Sequence, residues 1–228
     1  MNYTNENISV VMLGASGAVG TQVVKRFLKS KQPKNLILLG RRSIDTIQAD
    51  FVQQHEINIF DPNSYAPFVK NTSVAICTLG VGEPSKMSKE EFLKIDKQAV
   101  LDFAQICKKN GVRHFELLSS VGISATSSNF FLRSKGELVA ELEKLQFARL
   151  SIFQPSMILT PTNRYGISQA IVLKVWPKLN LFLHGNWLKY RGIAVEKLGV
   201  AIAENIFSNG SGLEILQYED FNRISERG

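Results

Sequence analysis

Short apolar runs alternate with longer stretches of helical periodicity along the 228 residues. That rhythm predicts a parallel sheet flanked by helices. Strands are expected at residues 8–13 (ISVVML), 35–40 (NLILLG), 57–60 (INIF), 74–79 (VAICTL), 114–119 (HFELLS), 150–153 (LSIF) and 213–218 (LEILQY). Between the first two, Val19, Val23, Val24, Phe27 and Leu28 recur at helical spacing. Ahead of His114 a second helix is marked by a capping box of Ser88 with Glu91. Its expected buried face is Phe92, Ile95, Ala99, Val100, Phe103 and Ile106, and Asn110-Gly111 supplies its exit. A third stripe runs through Phe131, Lys135, Leu138, Leu142 and Leu145. The lysine interrupts an apolar face: either its stem packs while the ammonium reaches water, or it serves a site.

From residue 156 to 193 the rhythm breaks. Pro161, Tyr165, Trp176, Pro177, Phe182, Trp187 and Tyr190 follow one another at irregular spacing, as expected of a lobe over a ligand cleft or of a dimer contact. No internal repeat, low-complexity tract or linker divides the chain. We expect one domain over residues 1–228, with 156–193 as its substrate or partner lobe.

With 44% hydrophobic residues the chain can bury a real core. The opening MNYTNENISVVMLGASG has no basic segment before its apolar run and carries Glu6, unlike a secretory signal. The apolar stretch 167–187 is broken by Lys174, Pro177 and Lys178, short of the ~20 apolar residues a membrane helix needs. The expectation is a soluble, cytoplasmic protein with no membrane span. Cys77 in a strand pattern and Cys107 in a helix lack metal-type spacing and read as reduced packing thiols. The net charge of +7 comes from basic residues that are scattered, densest at KSKQPK and GRR. Such an excess could attract nucleic acid, an anionic membrane or a phosphorylated ligand; without an aromatic RNA-binding signature or a zinc finger, nucleic acid is not the expected partner.

The sequence GASGAVG follows the first strand and opens the first helix. Gly14, Gly17 and Gly20, with Ala15, Ser16, Ala18 and Val19 between them, let the backbone turn tightly and approach a pyrophosphate at the helix N-terminus. NAD-selective proteins place an acidic residue at the end of the second strand, ~20 residues on, to hold the ribose 2′-hydroxyl. Here that place reads LLGRRS: Arg41 and Arg42 would bond a 2′-phosphate, so NADP(H) is the expected cofactor. Asn58 and Ile59 are placed to meet the adenine edge, and Asp61 before Pro62 reads as a helix N-cap. The backbone of Leu79 and Gly80, in TLGVGEP, would lie along the cofactor, although turn geometry accounts equally well for Gly80 and Gly82.

These residues, together with LGASGAVG, LILLGRR, HFELLSSVG, SSNFFLRSKGELVAELEKLQFAR and IFQPSMIL, resemble the atypical short-chain dehydrogenases/reductases. Within them the chain is most similar to the Tat-interacting-protein-type oxidoreductases, over roughly residues 8–220. The resemblance implies an α/β fold of Rossmann type: a doubly wound parallel sheet of about seven strands with helices on both faces, NADP(H) in the glycine cleft and a small irregular substrate lobe. In that family a serine after the fifth strand and a Tyr-x-x-x-Lys pair form the reductive centre. Ser119 and Ser120 match the serine region, Ser120 being the catalytic candidate, and Lys135 matches the lysine that holds the nicotinamide ribose. Phe131 takes the tyrosine's place and carries no proton to donate; a positioned general acid is worth ~10²–10⁴ in rate. By the same resemblance, backbone groups of Pro155, Ser156 and Met157 face the nicotinamide carboxamide, and Gln154 stands where many relatives carry arginine. Tyr165, Tyr190 and His184 are candidates to replace the missing acid. Two functions fit: an NADPH-dependent oxidoreductase acting on a small carbonyl or quinone-type acceptor, or a non-catalytic NADPH-binding regulatory module that signals occupancy to a protein partner. Substrate, partner and subunit number are left open.

Overall fold

Side-chain alternation sets the two faces of the central sheet. In β1 (Ser9–Leu13), Val10 and Met12 enter one core while Val11 and Leu13 enter the other; β2 (Asn35–Gly40) divides Leu36 and Leu38 from Ile37 and Leu39 in the same way. A strand buried on both faces needs helices on both sides. In the computed structural model, which describes residues 8–82, 86–161 and 183–226, the first core is closed by α1 (Ala18–Ser30), α6 (Val195–Asn205) and α7 (Tyr218–Ser225). The second is closed by α2 (Ala66–Val69), α4 (Val100–Lys109) and α5 (Phe130–Lys144).

The remaining strands are β3 (Val52–Glu56), β4 (Val74–Cys77), β5 (His114–Leu118), β6 (Arg149–Phe153) and β9 (Gly212–Leu216). All seven run parallel in the order β3-β2-β1-β4-β5-β6-β9, the doubly wound Rossmann arrangement. The order reverses between β1 and β4, so their carboxyl ends frame the crevice where such sheets bind ligands. A second, two-stranded sheet pairs β7 (Ile158–Leu159) with β8 (Ile193–Ala194), tying together the two ends of the irregular segment. Residues 162–182, which include Tyr165, lie outside the described residues. Among the described residues no helix is long and apolar enough to cross a membrane.

Two expectations require correction. The third strand occupies Val52–Glu56, ahead of the expected 57–60. It is an edge strand with a polar, half-exposed sequence, and Gln54 is engaged by Ile44 and Ile47 through the Ile44 N–H and both carbonyls. The apolar signal came from Ile57 and Ile59, which are buried in the loop that follows. The helix beginning with α3 (Lys89–Leu93), capped by Ser88 and Glu91 as expected, widens into a π-helical segment, Lys94–Ala99, before continuing as α4. The buried face keeps steps of three and four through Phe92, Asp96, Ala99, Phe103 and Cys107. Ile95 and Ile106 are only half-buried, while Asp96, Ala104 and Cys107 go inside.

At the amino ends of β5 and β6, away from the crevice, lies a buried polar network. Arg149 uses all five guanidinium N–H groups, on Glu214, the Asn205 and Ser208 carbonyls, Asn205 Oδ1 and Ser208 Oγ. His114 Nε2 lies 2.9 Å from Ser151 Oγ, and Asn205 donates to Glu116 Oε1 at 2.8 Å. Glu116 Oε2 is buried without a partner among the described residues. Burial pushes the Glu116 carboxyl up to about 8 and holds His114 well below the usual imidazole range.

Candidate functional site

The crevice at the carboxyl ends of β1 and β4 is a cleft of about 630 Å³, within the size range of cofactor pockets. Its floor is the glycine loop. Gly14 has φ +96°, and a Cβ there would lie 2.6 Å from the backbone of Thr78 and Leu79; a Cβ on Gly20 would lie 2.2 Å from the Gly14 carbonyl oxygen. Only glycine fits either place without backbone movement. Thr78 Oγ1 donates to the Gly14 carbonyl at 3.0 Å and fastens β4 to the loop. Gly17 is the N-cap of α1, with no side-chain cap and no acidic residue in the first turn, which leaves N–H groups and the positive end of the helix dipole for an anion.

Gly14, Ala15, Ser16, Gly17, Arg41, Arg42, Ile59, Leu79 and Gly80 all line this cleft. Ala18, Val19 and Gly20 form the first turn of α1, where Val19 and Gly20 are buried beneath it. Arg41 and Arg42 are exposed at its rim. Among the described lining residues they and Lys94 carry positive charge, against the carboxylate of Glu91. His55, stacked on Phe68 at 3.7 Å between ring centroids, also lines the cleft, and burial lowers its pKa. Asn58 is outside the lining: its Oδ1 accepts the Phe60 N–H in a tight turn. Asp61 caps the short 3₁₀ turn Pro62–Ser64 as expected, accepting from Asn63 N–H. Phe60 stands half-exposed at the cleft, with Lys94 Nζ 4.5 Å from its ring centroid.

Lys135 does not line the cleft but is joined to it through a residue the sequence reading missed. Asp96, 3% exposed, accepts from Lys135 Nζ at 2.8 Å with Oδ1 and from the Val81 N–H at 2.7 Å with Oδ2. Gly80 lies against the same carboxylate, where a Cβ would come within 3.3 Å of Oδ1. The side chain comes from the π-helical segment, on the face it shares with Phe92, Ala99 and Val100. One residue on, Lys97 pairs with Glu137 of α5 at 2.6 Å. Phe131 sits one turn before Lys135, edge-on to Phe92 at 5.0 Å and to Phe130 at 5.4 Å; the Lys135 ammonium lies 5.9 Å from the centre of the Phe92 ring. The expected stripe on α5 thus begins as an aromatic cluster beside an ion pair and continues into the apolar core through Leu138 and Leu142.

Beyond β5 and β6 the chains continue side by side. Ser119 N–H donates to the Phe153 carbonyl and Val121 N–H to the Pro155 carbonyl, which sets Ser119 and Ser120 beside Pro155, Ser156 and Met157. Among the described residues Ser119 Oγ is buried without a partner, and Ser120 Oγ meets only the Val121 carbonyl, at 3.5 Å. Gln154 is buried and accepts from Gln217 at 3.1 Å, so its role is to join β6 to the residue that caps α7. His184 is exposed, and Tyr190 packs at 5.7 Å against Trp187 at the end of the 3₁₀ segment Gly185–Tyr190. The glycine cradle, the uncapped helix end and the arginine rim suit a dinucleotide phosphate: space, backbone donors and positive charge coincide.

Comparison with known proteins agrees. The family described as NAD(P)H-binding matches residues 14–148. Over 219 residues the chain is 31% identical to protein HTATIP2 of Rattus norvegicus, covering 95% of this chain and 88% of that protein. It is 28% identical over 187 residues to protein FMP52, mitochondrial, of Candida albicans, covering 80% of this chain and 77% of that one. Among solved structures, the oxidoreductase ylbE of Lactococcus lactis shares the fold with a TM-score of 0.67 at 16% identity, over 96% of each chain.

Proposed function

From the premise that the chain belongs to the NAD(P)H-binding family, as an atypical short-chain dehydrogenase/reductase, we propose that it is an NADP(H)-dependent oxidoreductase. Its substrate is an electron-poor small carbonyl or quinone-type acceptor. The observation that carries this reading is the presence of Arg41 and Arg42 on the rim of the same cleft whose floor is the glycine cradle.

In this reading the N–H groups of the glycine loop and of the first turn of α1 take the pyrophosphate. Arg41 and Arg42 take the 2′-phosphate by charge-assisted bonds, Ile59 and Phe60 offer an apolar face to the adenine, and the Leu79–Gly80 backbone borders the ribose and phosphates. Lys135 bonds the nicotinamide ribose hydroxyls, and Pro155 to Met157 present backbone groups to the carboxamide. Bound there, NADPH supplies a hydride. Ser120 Oγ donates a hydrogen bond to the acceptor oxygen, and the proton arrives from water, because Phe131 holds none. The absent acid confines turnover to acceptors that accept hydride readily, which is why quinones and activated carbonyls are favoured. The reading takes the 228 residues as one domain in which the segment 156–193 serves the substrate or a partner. We place the protein in the cytoplasm, supported by the free, buried thiols of Cys77 and Cys107; cell fractionation tests this against the mitochondrial designation of the FMP52 relative.

The second reading, an NADPH-binding regulatory module, is favoured by Phe131 itself. NADPH oxidation measured with a panel of quinones, dicarbonyls and simple aldehydes separates the two. The oxidoreductase reading expects turnover with the electron-poor acceptors, and a gain of ~10²-fold or more with simple aldehydes in Phe131→Tyr. Tight NADPH binding with no turnover by any acceptor would select the regulatory module.

A further inference from the structure

We infer that Asp96 is a positioning residue for Lys135, holding the lysine and the loop after β4 as one unit against the bound dinucleotide. The inference rests on the cofactor reading above and extends it to a residue on the opposite helix.

The carboxylate is buried and divides its two oxygens between two parts of the cleft. Oδ1 holds the Lys135 ammonium at 2.8 Å and Oδ2 holds the Val81 N–H at 2.7 Å. Asp96 stands four residues after Phe92 and three and four before Ala99 and Val100, so it shares their buried face from within the π-helical segment. Burying a carboxylate is costly unless it is paired and hydrogen-bonded, and both conditions are met by groups of the proposed site. A lysine side chain has four rotatable bonds and loses much freedom when fixed. Here one ammonium N–H goes to Asp96 and the Phe92 ring lies beside the charge, so the stem is set before the ligand arrives. Among the described residues no other acceptor for the ammonium is found, which leaves two N–H groups for the ribose hydroxyls.

Positioning and plain electrostatics make opposite predictions. Asp96→Asn removes a negative charge near a polyanionic ligand and keeps an acceptor for Val81, so electrostatics alone would tighten NADPH binding. Positioning requires it to weaken. The test compares wild type, Asp96→Asn, Lys135→Ala and the double variant by calorimetry, with NADPH and with 2′,5′-ADP, which lacks the nicotinamide ribose. Acylation of Lys135 by an amine-reactive ester, followed by peptide mass spectrometry, reports the state of the ammonium without any cofactor. We expect Asp96→Asn to weaken NADPH about tenfold, roughly one charge-assisted hydrogen bond, to leave 2′,5′-ADP unchanged and to make Lys135 acylate faster; the double variant loses no more than Lys135→Ala alone. Tighter NADPH binding, additive losses, unchanged Lys135 acylation, or equal weakening of both ligands with a lowered melting temperature would each overturn the inference. Absence of binding by either ligand to the wild type would instead sink the cofactor reading, and the acylation arm would still judge the role of Asp96.

Discussion

At the end of β2 a single charge sign separates two cofactors. A carboxylate there would accept from a ribose hydroxyl and repel a 2′-phosphate; this chain carries Arg41 and Arg42, exposed on the cleft rim. Each charge-assisted bond to a phosphate is worth about 1.5–3 kcal/mol. Arg41→Ala with Arg42→Ala is therefore expected to weaken NADPH by at least about tenfold and to leave NADH nearly unchanged, measured by calorimetry. Equal losses for both nucleotides would place the arginines elsewhere in binding. These residues, like Gly14 and Gly20, were legible in the sequence because their requirements are local: a left-handed turn, a close backbone approach, a charge one residue past a strand. Asp96 was not legible. A charged residue in a helix reads as solvated, and although its spacing from Phe92, Ala99 and Val100 puts it on the buried face, only the partners that the fold brings, Lys135 and the Val81 N–H, account for a carboxylate there.

Among the elements, α5 bears the consequences of its packing most directly. Asn129 caps it, accepting from the Phe131 and Leu132 N–H groups, and Gly136 sets its approach to the loop before it. A Cβ on Gly136 would stand 2.3 Å from the Ser124 carbonyl carbon and 2.4 Å from the Ala125 nitrogen. Both are backbone atoms, so the helix itself must move. Overpacking of this kind costs ~1–3 kcal/mol, or roughly 3–10 °C in melting temperature for a chain of this size. Gly136→Ala is expected to lower the melting temperature by that amount and to weaken NADPH, because Lys135 shifts with the helix; an unchanged melting curve would show that the loop yields freely. The strands on both sides of the switch point were predicted nearly to their ends, since burial on two faces leaves continuous apolar runs. The edge strand β3 was displaced toward Ile57 and Ile59 because an edge strand need not be apolar, whereas the loop beneath the cleft is buried.

Across the whole molecule, the two ends of the sheet have different tasks. The carboxyl ends frame the cleft, and the amino ends of β5 and β6 enclose the His114, Glu116 and Arg149 network, whose influence is on stability. Unfolded, Glu116 gives up its proton near 4.5; folded, it keeps it up to about 8, chiefly through burial. The folded state is thus penalised progressively as pH rises between those values. His114 acts in the opposite sense, since burial and the Arg149 charge lower its pKa and the unfolded chain alone binds its proton below 6.5. Below 6.5 the two slopes oppose each other, and above it the slope of Glu116 remains. Glu116→Gln should therefore gain on the wild type by about 2 kcal/mol between pH 6.5 and 8, seen as a widening gap in melting temperature. A gap independent of pH would show that Glu116 is already ionised in the fold.

The central claim is that the glycine cleft holds NADP(H). A calorimetric titration of the purified protein with NADPH, with NADH beside it, tests it most directly. The account predicts saturable NADPH binding at least about tenfold tighter than NADH, the margin set by bonds from Arg41 and Arg42 to the 2′-phosphate. No heat with either nucleotide would contradict it, leaving Gly14, Gly17 and Gly20 as a structural turn and both functional readings without a foundation.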